Sequence, residues 1–221
     1  MQKLNEIIKD NRVFFLLYLI FFIISGLYLI LFPREHFLII LNSIHTPFLD
    51  SFFKYMTFLG DGFFILIALL PVAFLRVRFA ILTVITYAVS GITTQIIKHL
   101  VQSPRPLNYL KNYDILHKVE GIDIYYYNSF PSGHSATAFA FFLLLSLITK
   151  NKRISFIFFL FALFIGLSRI YLLQHFLVDV WAGSMIGVIV TLIFFIIFEH
   201  NEKINNSNWL NFSLYYKLKQ L

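Results

Sequence analysis

The sequence predicts an all-α fold: an integral membrane bundle of six transmembrane helices. Of its 221 residues, 59% are hydrophobic and only 13% are charged, and the mean hydropathy is +0.78. An ordinary soluble domain carries about 25% charged residues, so this composition belongs in a lipid bilayer. The apolar residues also form runs close to the length of about 20 residues that a helix needs to cross a membrane.

Six apolar runs are separated by short polar segments. They are residues 13–32, 62–75, 79–99, 133–149, 154–172 and 177–198. The second run is short, so its helix is expected to begin earlier or to lie at a tilt. Residues 1–198 are therefore predicted to form one membrane domain, followed by a cytoplasmic tail at residues 199–221. The chain contains no cysteine, which excludes disulfides and a thiolate nucleophile.

Lysine and arginine set the predicted orientation, because these residues collect in the cytoplasmic loops of membrane proteins. With both termini cytoplasmic, eleven of the 18 basic residues lie inside: Lys3, Lys9, Arg12, Arg76, Arg78, Lys150, Lys152, Arg153, Lys203, Lys217 and Lys219. The basic residues that give the net charge of +7 are scattered between the apolar runs and do not form one solvated surface. No nucleic-acid partner is therefore expected. The predicted location is the cell (inner) membrane.

Two segments outside the apolar runs carry aromatic side chains. Residues 42–59 have the spacing of an amphipathic helix, which is expected to lie along the outer interface. The loop after Pro106 either forms an aromatic belt at the interface or lines the access route to a site. Its tyrosines are Tyr109, Tyr113, Tyr125, Tyr126 and Tyr127.

Charged side chains at the ends of the apolar runs are candidates for function, because each costs about 2.5–3.5 kcal/mol at the bilayer centre. Lys98 ends the third predicted helix, His134 opens the fourth, Arg169 lies near the end of the fifth, and His175 and Asp179 open the sixth. In an alternating topology all of these helix ends meet the outer face. They are therefore expected to converge there, together with Arg105 from the following loop.

The residue types indicate what binds. Lys98, Arg105 and Arg169 predict an anion site, since arginine suits bidentate contact with phosphate oxygens. Ser132 is expected to cap the fourth helix, and Gly133 to allow close approach to its backbone. Free amide groups and the helix dipole then favour a phosphate.

His175 and Asp179 are four residues apart, so they are predicted to share one face of the sixth helix. Asp179 then orients the imidazole, which leaves the other ring nitrogen to attack phosphorus. His134 is placed to protonate the leaving oxygen. A two-histidine, one-carboxylate metal site is the competing interpretation, but three nearby cations disfavour it, and no metal or other cofactor is expected.

These residues form three motifs that resemble the signature of the type-2 phosphatidic acid phosphatase (PAP2) superfamily. The motifs occupy residues 98–106, 131–134 and 168–179. The resemblance implies that His175 is the nucleophile and forms a phosphohistidine, with Asp179 as its partner and His134 as general acid. It also implies that the phosphoryl oxygens are held by Lys98, Arg105, Ser132, Gly133 and Arg169.

The implied activity is metal-independent hydrolysis of a membrane lipid phosphate or pyrophosphate on the extracytoplasmic face. Candidate substrates are an isoprenyl pyrophosphate, phosphatidylglycerophosphate, phosphatidate or a lipid A type glycolipid. A lipid phosphotransferase that uses the same site is the nearest alternative. The signature also occurs in vanadium-dependent haloperoxidases, which the hydrophobic spans disfavour. A non-catalytic lipid-binding protein would have no need of both histidines and Asp179 in these positions.

Overall fold

A computed structural model of the chain describes residues 2–110 and 116–218. Within them every helix or strand is an α-helix, so the predicted all-α fold is confirmed. The helices are α1 (Gln2–Asp10), α2 (Arg12–Leu31), α3 (His36–Ser43), α4 (Pro47–Phe58), α5 (Gly62–Leu75), α6 (Val77–Val101), α7 (Pro106–Tyr109), α8 (Gly133–Thr149), α9 (Lys152–Tyr171), α10 (Leu177–His200), α11 (Glu202–Asn205) and α12 (Leu214–Leu218). Lys111, Tyr113 and Lys219 lie outside the described residues.

All six predicted apolar runs form helices, namely α2, α5, α6, α8, α9 and α10. In the described part of the chain, α2, α6, α9 and α10 are long and apolar enough to cross a membrane. The chain bends by 62° between α4 and α5, and these two helices pass the same test only when they are taken together as one broken or re-entrant span. Helix α8 has 17 residues and is shorter than the others. The multi-pass architecture is confirmed, and the count of six spans stays a prediction.

The segment predicted to be amphipathic contains α4. Thr46 caps this helix by accepting a hydrogen bond from the Leu49 amide at 3.2 Å, and Pro47 suits the first helical position. Phe53 is buried, and its ring centroid lies 4.6 Å from that of Tyr171 on α9. Helix α4 therefore packs against the end of α9, and its position relative to a membrane interface stays a prediction.

Helix α8 forms the centre of the bundle, with twelve buried residues and with α6, α9 and α10 packed around it. Close contact with α10 depends on two glycines. A Cβ atom at Gly187 would lie 2.2 Å from the carbonyl oxygen of Ala136, and one at Gly183 would lie 2.4 Å from that of Ser132. The two backbones approach this closely because α10 has no side chain at either position.

Replacing Gly187 with alanine is therefore expected to destabilise the bundle by about 1–3 kcal/mol, a typical cost of overpacking. Backbone atoms of α8 would have to move, and the gain in helix propensity does not offset this. Thermal unfolding in detergent measures the effect. Gly26→Ala is the matched control, since its added Cβ would meet Trp181 at an ordinary 3.6 Å. Equal melting temperatures for the two variants would contradict the packing explanation.

The end of the bundle that carries both termini is tied together by polar contacts. Arg78 at the start of α6 pairs with Glu199, and its Nη1 donates to Asn205 Oδ1 at 3.1 Å. Lys150 follows α8, and its Nζ lies 3.5 Å from Asp10 Oδ2. The other ends of α6 and α8 carry Lys98 and His134. The candidate site therefore lies at the end of the bundle opposite the termini.

Candidate active site

The tight turn between α9 and α10 places the proposed nucleophile. The carbonyl oxygen of Arg169 accepts hydrogen bonds from the amides of Gln174 and His175 at 2.9 and 3.0 Å. Asp179 Oδ2 accepts the Phe176 amide at 2.9 Å, as in a helix-capping box. Because of this cap, α10 begins at Leu177 and His175 precedes the helix. The prediction that His175 lies on one face of the helix is therefore wrong.

His175 and Asp179 nevertheless contact each other. His175 Nδ1 lies 3.4 Å from Asp179 Oδ2, and the two side chains are 2% and 0% exposed. Burial, opposed by Asp179, lowers the pKa of His175, which favours the neutral imidazole. With Nδ1 protonated toward the carboxylate, the lone pair is on Nε2. This tautomer is the one that a nucleophilic histidine requires.

Two residues that the motifs do not contain also reach Asp179. The buried Ser129 hydroxyl donates to Oδ2 at 2.5 Å and lies 3.5 Å from His175 Nδ1. Arg34, between α2 and α3, places Nη2 at 3.4 Å from Oδ1. Ser129 lies just upstream of the second motif, which was the only local signal for it. Arg34 is distant in sequence and had none.

The first motif supplies two cations to the site. Lys98 is buried, and its ammonium donates to the carbonyl oxygen of Asn128 at 2.8 Å. Arg105 Nε donates to the carbonyl oxygen of Tyr127 at 2.9 Å, and Nη1 donates to Gln174 Oε1 at 2.8 Å. Gln174, for which the sequence carried no signal of function, therefore positions Arg105. Each cation keeps further N–H donors for a ligand.

Arg169 supplies the third cation from the last turn of α9. It is 8% exposed, and its Nη1 donates to the Thr57 hydroxyl of α4 at 2.6 Å. Its Nε is buried and has no hydrogen-bond acceptor within the described residues. Because an unpaired buried donor is costly, this group is suited to an oxyanion bound beside it.

The second motif links α8 to α10. Ser132 caps α8 as predicted, accepting the Ser135 amide at 3.3 Å, and its own amide donates to the carbonyl oxygen of Asp179 at 2.9 Å. Its predicted contact with phosphate stays a prediction. A Cβ atom at Gly133 would meet no protein atom closer than Thr94 Oγ1 at 3.9 Å. This backbone position is thus open to a ligand.

His134 lies at the same end of the bundle as the charged side chains of the three motifs. Arg169, His175, Lys98 and Arg105 are each close enough to interact with it electrostatically. The ammonium group of Lys98 likewise interacts electrostatically with Arg105, Asp179 and Arg169. The structure therefore brings the charged residues of the three motifs together at one end of the bundle, as the alternating topology predicts.

A cavity of about 620 Å³ borders His134 between α5, α6 and the start of α8. Its lining includes Gly60, Tyr87, Gly91, Gln95, His99 and His134. His99 lies about 100° around α6 from Lys98, and its side chain lines this cavity.

The tyrosine loop contributes to the same end of the molecule. The ring centroid of Tyr125 lies 5.0 Å from the guanidinium carbon of Arg105, and Tyr125, Tyr126 and Tyr127 are all exposed. Within residues 2–110 and 116–218, no three His, Asp or Glu side chains are grouped as metal ligands. Metal independence itself stays a prediction.

Comparison with known proteins gives the same family as the motifs. The model of the PAP2 superfamily matches residues 79–203. Phosphatidylglycerophosphatase B of Bacillus subtilis (strain 168) is 39% identical over 85 residues, 34% of this chain and 40% of that protein. Lipid A 1-phosphatase of Rhizobium johnstonii is 30% identical over 113 residues, 51% of this chain and 45% of the relative. The chain thus spans less than half the length of these relatives.

Two crystal structures are similar over more of the chain. Aquifex aeolicus LpxE has a TM-score of 0.66 and 27% identity, covering 74% of this chain and 96% of that one. A transmembrane PAP2 type phosphatidylglycerolphosphate phosphatase from Bacillus subtilis has a TM-score of 0.62. The similarity covers 88% of this chain and 98% of that one. Its 22% identity supports the fold alone. Since the family match covers more than half of the residues and all three motifs, the chain belongs to the PAP2 superfamily.

Proposed function

We propose that this protein is a membrane lipid phosphatase that works through a phosphohistidine intermediate without a metal. The observation that carries this proposal is the buried His175, whose Nδ1 lies 3.4 Å from Asp179 Oδ2, at the end of the bundle where Lys98, Arg105 and Arg169 also lie. A nucleophile, an orienting carboxylate and an anion site are the parts that metal-free phosphoryl transfer needs.

In the first step, Nε2 of His175 attacks phosphorus as the bond from phosphorus to the lipid oxygen breaks. The bound anionic phosphate offsets the cations around His134 and favours its protonated form. His134 then donates this proton to the lipid oxygen, which leaves as the lipid alcohol or, from a pyrophosphate, as the lipid monophosphate. Asp179 accepts a hydrogen bond from Nδ1 and stabilises the positive charge that develops on the ring. The three cations bind the equatorial oxygens, on which charge is spread in the transition state.

In the second step, water attacks the phosphohistidine. His134, now neutral, accepts the water proton, the bond from nitrogen to phosphorus breaks, and inorganic phosphate leaves. The imidazole of His175 is regenerated with its lone pair on Nε2. Protons therefore balance over the cycle, because His134 regains in the second step the proton that it gave in the first.

The relatives and the cavity support a phosphorylated lipid as the substrate class. The similar proteins are named for phosphatidylglycerophosphate and lipid A, and both are phosphorylated lipids. A lipid A type phosphate, phosphatidylglycerophosphate, phosphatidate and an isoprenyl pyrophosphate remain the candidates. Basic residues at the opposite end of the bundle, including Arg76, Lys150 and Arg153, support a cytoplasmic location for both termini and an extracytoplasmic site.

The cavity beside His134 is where the leaving lipid should lie, since His134 protonates the leaving oxygen. Its lining is apolar along α6, with Ala88, Ile92 and Ile96, and these residues are exposed on the outer surface of the helix. A lipid could therefore move in sideways from the bilayer. Gly91 keeps this route open, because a Cβ atom there would meet nothing within 4 Å.

Replacing Gly91 with leucine is expected to lower kcat/KM for a long-chain lipid phosphate by about tenfold or more. The leucine side chain would displace part of the lipid chain from the cavity, and the loss of such apolar contacts costs about 1–3 kcal/mol. Hydrolysis of a short-chain, water-soluble phosphate ester should change less than about twofold. The ratio of the two rates is the measurement, with Val84→Leu on the exposed face of α6 as control. Equal losses for both substrates would contradict the proposed route.

The proposal as a whole is tested by phosphate release from the purified protein in detergent. A panel of lipid phosphates is assayed with and without a chelator. Release that resists the chelator supports metal-free hydrolysis and ranks the substrates. Loss of activity with the chelator, restored by a divalent metal, contradicts the metal-free mechanism. Transfer of phosphate to an added lipid alcohol, without free phosphate, would show a phosphotransferase instead.

A further inference from the structure

A cation outside the three motifs contacts the carboxylate that orients His175. The guanidinium Nη2 of Arg34 lies 3.4 Å from Asp179 Oδ1 and 2.8 Å from the Ser103 hydroxyl oxygen. Arg34 precedes residue 79, at which the family match begins. The family resemblance therefore assigns it no role, and its position in the structure must explain it.

The two oxygens of Asp179 have different partners. Oδ2 accepts hydrogen bonds from the Ser129 hydroxyl and the Phe176 amide, and it faces His175 Nδ1. Across the residues that the structure describes, Oδ1 has a single polar partner, which is Arg34. Because Asp179 is completely buried, an oxygen without a donor would be costly. Arg34 therefore holds the carboxylate in the rotation that turns Oδ2 toward His175.

Arg34 is itself held on two sides. Its Cζ lies 4.1 Å from the ring centroid of Phe176, the residue next to His175. Ser103 is the second hydrogen-bond partner of Arg34. The carbonyl oxygen of Ser103 in turn accepts a hydrogen bond from the Ser129 amide at 2.9 Å. One guanidinium thus joins the segment that leads into Arg105 to the start of α10. The Arg34 side chain is 27% exposed.

We propose that Arg34 is a positioning residue for phosphoryl transfer, which fixes Asp179 so that Nδ1 of His175 stays hydrogen-bonded and Nε2 stays directed at phosphorus. The inference rests on the proposed phosphohistidine function. Because Arg34 acts through Asp179 and does not bind the phosphate, its loss should affect the chemical step much more than substrate binding.

The test compares Arg34→Met, which keeps the packing of the stem, with Arg34→Lys, which keeps the charge. Lys118→Met is the matched control, since it removes one exposed charge from the segment between α7 and α8. We expect Arg34→Met to lower kcat by about tenfold to a hundredfold, the effect of losing one charged hydrogen bond. KM should change less than about twofold, Arg34→Lys should recover part of kcat, and Lys118→Met should match the wild type.

The outcomes separate this inference from the proposed function. An unchanged kcat in Arg34→Met, beside an active wild type, overturns the role of Arg34 alone. A loss that matches a smaller folded fraction, measured by thermal unfolding and shared by Arg34→Lys, also overturns it, because that pattern is structural. A wild type that releases phosphate from no lipid in the panel contradicts the proposed function, and the inference with it.

Discussion

Replacing His175 with alanine is expected to abolish phosphate release while the protein still inserts and folds. The variant removes the atom that forms the bond to phosphorus, so the phosphohistidine cannot form. Loss of a nucleophile typically lowers kcat by at least about 10⁴-fold. Phosphate release by the purified variant, with thermal unfolding as the check on folding, measures this effect.

His200→Ala is the matched control, because this histidine ends α10 at the opposite end of the bundle and bonds only to the carbonyl oxygen of Ile196 within the described residues. A second measurement looks for the intermediate itself. With a substrate labelled in its phosphate, rapid quenching in alkali should leave acid-labile label on the wild type and none on His175→Ala. Normal turnover in the variant would rule out His175 as the nucleophile.

Replacing His134 with alanine should slow the enzyme to an extent that depends on the leaving group. A general acid contributes about 10²–10⁴-fold, and it does so only when the leaving oxygen needs a proton. We expect a loss of this size for a lipid phosphate, whose leaving alkoxide is strongly basic. For p-nitrophenyl phosphate, whose leaving phenolate is stable without a proton, the first step should slow by less than about tenfold.

The second step still needs a base to activate water, so the same variant should accumulate phosphohistidine. With p-nitrophenyl phosphate it should release a burst of about one nitrophenolate per enzyme molecule, followed by slow turnover. Stopped-flow absorbance measures the burst. An equal slowing of bond cleavage for both substrates would contradict the general-acid role, because that pattern indicates loss of binding or of folding.

Much of the fold and the composition of the site could be predicted because they depend on local properties of the chain. Apolar runs define helices, and regular alternation of helices places the ends of α6 and α9 beside the starts of α8 and α10. Lys98, His134 and Arg169 therefore meet at one face whatever the details of packing.

The sequence by itself thus determined an all-α membrane protein of the PAP2 superfamily and the charged groups of its site. Only the tertiary structure decided how those groups are held. His175 lies before α10 because Asp179 caps that helix, and helical spacing alone could not show this. The contact of Arg34 with Asp179 joins residues 145 positions apart. Such contacts depend on how separate helices pack, because neither residue carries a local pattern that names its partner.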